Sequence, residues 1–203
     1  PAALPTQGAS GERRTTVIVP VYKSGTELVT WAARALLDRT SAPVTVIDLL
    51  GVDDDDLPPG LRAHGLGDPG LHPSEGVVVA RPEESITSDL ATWLRISADL
   101  LAVVDSARAQ DRDVVVLAPW LLERDPWLYA GVVREVADEL VLCVDSDGHG
   151  YAQEVALPVV QAAGCPAPIV LMGEQAADLD RLISRARAAL PVGSEEDEDT
   201  LRA

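Results

Sequence analysis

The chain has 203 residues, 47% apolar and 24% charged, the composition of one globular domain that can bury a core without a metal or disulfide framework. It carries 33 acidic residues against 16 basic ones, a formal charge of −17, so a nucleic-acid backbone or an anionic membrane is excluded as the main partner by repulsion. There is no run of the roughly 20 apolar residues that would span a membrane and no basic-then-apolar opening segment, so a cytoplasmic protein is expected.

In chain order, residues 1–14 are rich in Pro, Gly, Ser, Gln and Ala and read as a flexible leader. Residues 15–190 read as a single α/β domain. Short, near-continuous runs of Val, Ile and Leu occur at 16–20, 44–48, 76–80, 113–118, 140–144 and 168–172. Runs of that kind predict about six strands buried on both faces of a mostly parallel sheet. The intervals carry helical spacing. Leu28, Trp31, Ala32, Ala35 and Leu36 share one predicted face, and Leu90, Trp93, Leu94, Leu100 and Leu101 another. Asp125-Pro126 has the form of an N-cap followed by proline at the first helical position, opening a helix to about Asp138. Pro158 falls inside the next expected helix and should kink or shorten it, and Gly164 should stop it. Leu179, Leu182, Ile183, Ala186 and Leu190 mark a last amphipathic helix. Residues 191–203, with five carboxylates at 195–199, read as an acidic disordered tail. Alternating strands and helices predict a doubly wound, three-layer α/β/α fold, whose ligands bind beyond the carboxyl ends of the strands.

Several segments fall in an order that resembles the MinD/ParA-like P-loop ATPases, over about residues 15–190. The run Val17-Ile18-Val19-Pro20 leads into Val21-Tyr22-Lys23-Ser24-Gly25-Thr26-Glu27, then a helix. Val44–Asp48 is similar to the family's second strand ending in aspartate. Asp113–Pro119 is similar to its Walker B strand, and Ala137–Val144 to its following Ala-Asp strand. The resemblance implies a nucleotide at Gly25, Thr26 and Asp48. The chemistry of the loop has been altered, however. A working phosphate loop needs several glycines, a lysine on the β/γ phosphates and a Ser or Thr on Mg²⁺. Here Thr26 stands for the lysine, Glu27 for the magnesium hydroxyl and Ala118 for the Walker B aspartate. A glutamate facing a triphosphate is repelled. The only lysine, Lys23, has the wrong glycine spacing and reads as a surface residue.

Other candidates lie near the expected strand ends. Asp145-Ser146-Asp147-Gly148-His149 sets two carboxylates one residue apart, a pair that could hold a divalent metal. The alternative to a metal is a polar turn with Asp147 as a helix cap. Asp-x-Asp and the opening Val17–Tyr22 also resemble the GT-A glycosyltransferases, which implies a metal-dependent nucleotide-sugar transferase with Asp48 near the base. His64 and His72 share a glycine-rich loop with no metal spacing, and Asp53–Asp56 reads as a solvated turn. Cys143 and Cys165 sit in or beside apolar runs and read as core thiols. Trp120, Trp127 and Tyr129 gather around one loop, either covering the sheet or anchoring a partner. In the ATPase family this region lies near the dimer face. The expectation is therefore a non-catalytic binding or scaffold protein that works through a protein partner or a homodimer. The alternative is the GT-A transferase.

Overall fold

A computed structural model describes residues 14–21, 29, 32–33, 37, 43–51, 63–66, 77–82, 90–119, 126–145 and 148–172. Each predicted valine-rich run forms a strand: β1 (Thr15–Val21), β2 (Val44–Asp48), β4 (Val77–Arg81), β5 (Asp113–Leu117), β6 (Glu139–Val144) and β7 (Ile169–Met172). A seventh, β3 (Ala63–Gly65), adds a three-residue edge beside β4. It includes His64, which the sequence assigned to a loop. Ala-His-Gly has neither β-branched content nor length, so only the neighbouring strand marks it. The sheet is all-parallel, in the order β3-β4-β2-β5-β1-β6-β7.

Alternate residues of each strand enter two apolar layers. Val17, Val19, Val21, Val114, Val116, Leu140 and Leu142 face one, while Ile18, Val46, Val115, Leu117, Val141 and Cys143 face the other. The first layer packs under α1 (Leu90–Ala109), α2 (Pro126–Val136) and a helical stretch over 149–162. The second packs under Val29, Ala32 and Ala33, helical residues on the crossover from β1 to β2. The β1-to-β2 crossover runs toward the β3 edge on one face. The crossovers through α1, α2 and 149–162 run toward the β7 edge on the other, so all have one hand, as parallel βαβ units require. Helices on both faces make the three-layer α/β/α fold.

One helix turns differently from its predicted face. In α1 the inward stripe is Ile96, Leu100, Val104 and Ala107, while Leu94 is 51% exposed and Leu101 also faces outward. The helix carries two apolar stripes, and the longer one, with β-branched Ile96 and Val104, packs on the sheet. On the β1–β2 crossover Ala32, on the predicted face, is buried along with Val29 and Ala33, and the other residues of that face lie outside the described residues. The helix α2 begins at Pro126, as expected, and ends at Val136.

Pro158 does not end its helix. The stretch begins as α3 (His149–Tyr151), passes through a π-helical turn over Ala152–Ala156, and continues as α4 (Leu157–Ala162). A proline has no N–H for the carbonyl four residues back, here that of Glu154. Glu154 lies within the wider turn, where the α-helical ladder is already interrupted. The stretch closes on Gly164 at φ +75°. Gly164 N–H donates to the Gln161 carbonyl and Cys165 N–H to the Val160 carbonyl, both at 3.0 Å, the paired bonds of a Schellman ending in which glycine relieves the left-handed backbone.

The amino ends of the central strands are joined by a polar network. Thr15 N–H donates to Asp138 Oδ2 at 2.7 Å, and Asp138 N–H donates to the Thr15 carbonyl at 2.9 Å. Arg108, in the last turn of α1, donates to the same Oδ2 at 3.0 Å, to Thr15 Oγ1 and to the Val136 carbonyl. Arg14 Nη1 reaches Glu139 Oε1 at 2.9 Å, and the Arg14 backbone N–H donates to Asp113 Oδ1. Buried Arg112 donates to Thr45 Oγ1 and to the Val44 carbonyl. The leader, the last predicted helix and the acidic tail fall outside the described residues, apart from Arg14.

Asp138→Ala removes the acceptor of a buried N–H, and is expected to lower unfolding stability by about 1–2 kcal/mol. Asp138→Asn keeps an oxygen for Thr15 and loses only a half-exposed ion pair, so it should cost less than about 1 kcal/mol. Urea unfolding of the two variants beside the parent checks the order.

Candidate functional site

Parallel sheets of this type place ligands where neighbouring strands send their connections to opposite faces. Here β1 exits toward the layer under Val29 and Ala32. Its neighbours β5 and β6 exit toward the α2 side. The carboxyl ends of β5, β1 and β6 therefore bound the natural crevice.

Proline shapes that crevice. On the β6 side, β1 stays in register to the end, with Pro20 opposite Cys143 and Val21 opposite Val144. On the β5 side the pairing stops at Ile18 opposite Leu117. Ala118 N–H still donates to the Ile18 carbonyl at 3.0 Å. The next bond of a parallel ladder would come from the residue two beyond Ile18, which is Pro20 and has no N–H. The β1–β5 seam thus ends early, on the line where the fold puts its ligand end.

The predicted site residues are distributed unevenly around this end. Gly25 and Thr26 lie outside the described residues, as do Lys23 and Glu27. Ala118, which the resemblance set against a Walker B carboxylate, is buried and apolar. Asp145 follows β6 and is half-buried, and its backbone carbonyl accepts the Gly148 N–H at 2.9 Å. Asp147 lies outside the described residues. Among the described residues no three His, Cys, Asp or Glu side chains gather as a metal set.

Asp48 is fully described. It ends β2 with 0% exposure. Its Oδ1 accepts the N–H groups of Leu50 and Gly51, each at 3.0 Å, a local Asx-type turn. Gly51, at φ +71°, supplies the left-handed backbone that this turn requires. Oδ2 accepts Arg81 Nε–H at 2.8 Å. Arg81 ends β4, the strand beside β2, and was not singled out from sequence. Nothing in the local pattern marks a partner 33 positions away. The signal was a lone arginine closing a valine run, and it gains meaning only once β2 and β4 are neighbours.

The aromatic cluster is divided. Trp120 lies outside the described residues, and Trp127 is the second residue of α2. Tyr129 is 2% exposed and packs in the core beneath α2. It is therefore a core residue, not a partner-facing one, because its helical position turns the ring toward the sheet. Burial pushes its phenol pKa up, reinforced by nearby Cys165.

The two thiols are free. Cys143 is buried in β6, and desolvation pushes its pKa up to about 12. Cys165 is half-buried, and its Sγ lies 3.3 Å from the Ala130 carbonyl. Burial raises its pKa too, with Arg134 opposing. Neither a scan against protein-family models nor a search of curated proteins gives a match.

Two predictions follow from these environments. Asp48→Ala leaves Arg81 without its buried partner and two turn N–H groups without an acceptor. A loss of about 3–5 kcal/mol in urea unfolding is expected, and Asp48→Asn, which keeps the turn acceptor, should lose less. A maleimide pulse at pH 7 should label Cys165 well before Cys143, with both labelled in denaturant, read by mass spectrometry. The Cys143 thiol is held neutral when folded, so its contribution is intact below pH 9 and is lost as pH rises from 9.0 toward about 12.

Proposed function

We propose that this chain is a non-catalytic binding or scaffold protein, built on a fold similar to that of the MinD/ParA-like ATPases, and that it acts by protein–protein contact or self-association. The carrying observation is the chemistry at the carboxyl ends of β5 and β2. Ala118 sits buried beside Ile18 where a hydrolase of that family needs a carboxylate for magnesium. The nearest strand-end carboxylate, Asp48, is engaged by a turn and by Arg81. Phosphoryl transfer depends on charge stabilisation by a metal and a positioned cation. Thr26 and Glu27 stand where the lysine and the magnesium hydroxyl would be. Each of these residues leaves out a different part of that machinery.

The partner-facing side of this reading rests on Trp120 and Trp127 alone, since Tyr129 is in the core. An acidic chain of charge −17 favours a basic partner surface, chiefly through the association rate.

The test is ATP turnover by the purified full chain with Mg²⁺, together with sedimentation over a range of concentrations. No turnover above buffer is expected, with either self-association or a monomer that binds a partner through residues 120–127. ATP hydrolysis that survives stringent purification and disappears in Asp48→Asn overturns the proposal.

A further inference from the structure

The two faces of β6 and β7 are covered by different parts of the chain. The first layer holds Leu140, Leu142 and Val144 of β6 together with Ala152, Ala156 and Val160 of the stretch that connects the two strands. The second layer holds Val141 and Cys143 of β6 and Ile169 and Leu171 of β7, and all four are buried, Cys143 and Leu171 at 0% exposure. Among the described residues, the helical ones in that layer are Val29, Ala32, Ala33 and Leu37, all on the crossover from β1 to β2. That crossover leads over β5, away from β7. Neighbouring strands stand about 4.8 Å apart, and a helix with its side chains is about 10 Å across. β7 lies two strands beyond β1 on the other side, so a helix seated over β5 and β1 does not reach Leu171. A further apolar segment is needed to bury it.

The chain leaves β7 at Met172, on the sheet edge, with residues 173–203 still to run. At that edge the first face is already taken by residues 149–162. In the sequence of the last predicted helix, Leu179, Leu182, Ile183, Ala186 and Leu190 fall on one side at helical spacing, while Arg181, Ser184 and Arg185 fall on the other. A helix over 179–190 is about 18 Å long, close to the roughly 20 Å of a strand the length of β6. The interval 173–178 is long enough for a connection that turns back over the sheet.

From this placement we propose that the second face of β6 and β7 is a docking face for this chain's own residues 179–190, whose Leu179–Leu190 stripe lies on Val141, Cys143, Ile169 and Leu171. The sequence beyond 190 is acidic and has no further valine-rich run. The segment is therefore a cover held by apolar contact and tethered at Met172, and it can lift without unpairing the sheet. This assignment is independent of whether the chain turns over ATP or binds a partner.

The test places a nitroxide on Ser184→Cys, on the polar side of the stripe, in ¹⁵N-labelled full chain that also carries Cys165→Ser. The expected result is a loss of amide signal at Val141, Cys143, Ile169 and Leu171, with Val79 at the far side of the sheet and Val133 and Val160 over the first face unaffected. A second measurement follows maleimide labelling of Cys143 in the otherwise native chain. Leu182→Asp with Ile183→Asp should speed it by more than roughly tenfold through local opening, with the Cys165 rate unchanged. Arg181→Asp with Arg185→Asp, on the far side of the stripe, should leave Cys143 as protected as in the parent. If the apolar pair unfolds the whole chain, the nitroxide measurement decides alone. The proposal is overturned if the nitroxide leaves the β6 and β7 signals intact or broadens Val133 and Val160 instead. It is also overturned if the β6 and β7 loss appears only when labelled chain is mixed with a second, nitroxide-bearing copy, since the occupant is then another molecule.

Discussion

The central strand β1 is hydrogen-bonded on both sides and covered on both faces, and the molecule is organised around the place where one of those bonds cannot form. Buried backbone N–H and C=O groups must be paired, and β5 and β6 pair those of β1 along the amino-terminal part of the strand. Pro20 ends the β5 side because it has no donor, while the β6 side continues. The sheet is therefore closed at one end and divided at the other. The same residue that would disrupt a central strand elsewhere is tolerated here because it stands where pairing was due to stop.

Polar chemistry is distributed to match. At the closed end, Thr15, Asp138, Arg108, Arg14 and Glu139 satisfy one another and tie α1 to β1 and to the start of β6. At the divided end, the buried Asp48 serves a turn and a neighbouring strand, and the Ala118 side chain adds only apolar surface. The first set stabilises the sheet. The second end is where β1 and β5 part, with buried Ala118 as an apolar wall beside the seam.

Much of the architecture was legible in the sequence because parallel strands buried on both faces need uninterrupted apolar runs, and six such runs stand out. The proline at 126 and the glycine at 164 marked helix ends because each has a backbone property no other residue supplies. What escaped was set by tertiary neighbours. Three residues at 63–65 become a strand only by adjoining β4. The inward face of α1 was misjudged because two apolar stripes compete on that helix, and only the sheet beneath decides between them. Tyr129 looked like a surface anchor beside two tryptophans, but its helical phase buries it. Arg81 showed only as an arginine closing a valine run, since its partner Asp48 is contributed by another strand.

The paired ends have a consequence for how the strands find one another. Val-Thr-Val-Ile, Val-Val-Val-Ala and Val-Val-Val-Leu are nearly interchangeable as apolar surfaces. A slip of two residues would keep every side chain on its proper face, so packing alone discriminates weakly against it. The end groups discriminate strongly. Arg81 meets Asp48 one step beyond the Ile47–Ala80 pairing, and Arg112 meets Thr45 at the opposite end of β2. A shifted strand would leave a buried carboxylate or guanidinium facing hydrocarbon. These pairs act as index marks on otherwise uniform rulers: valine supplies the adhesion, and a few charges decide which notch aligns with which.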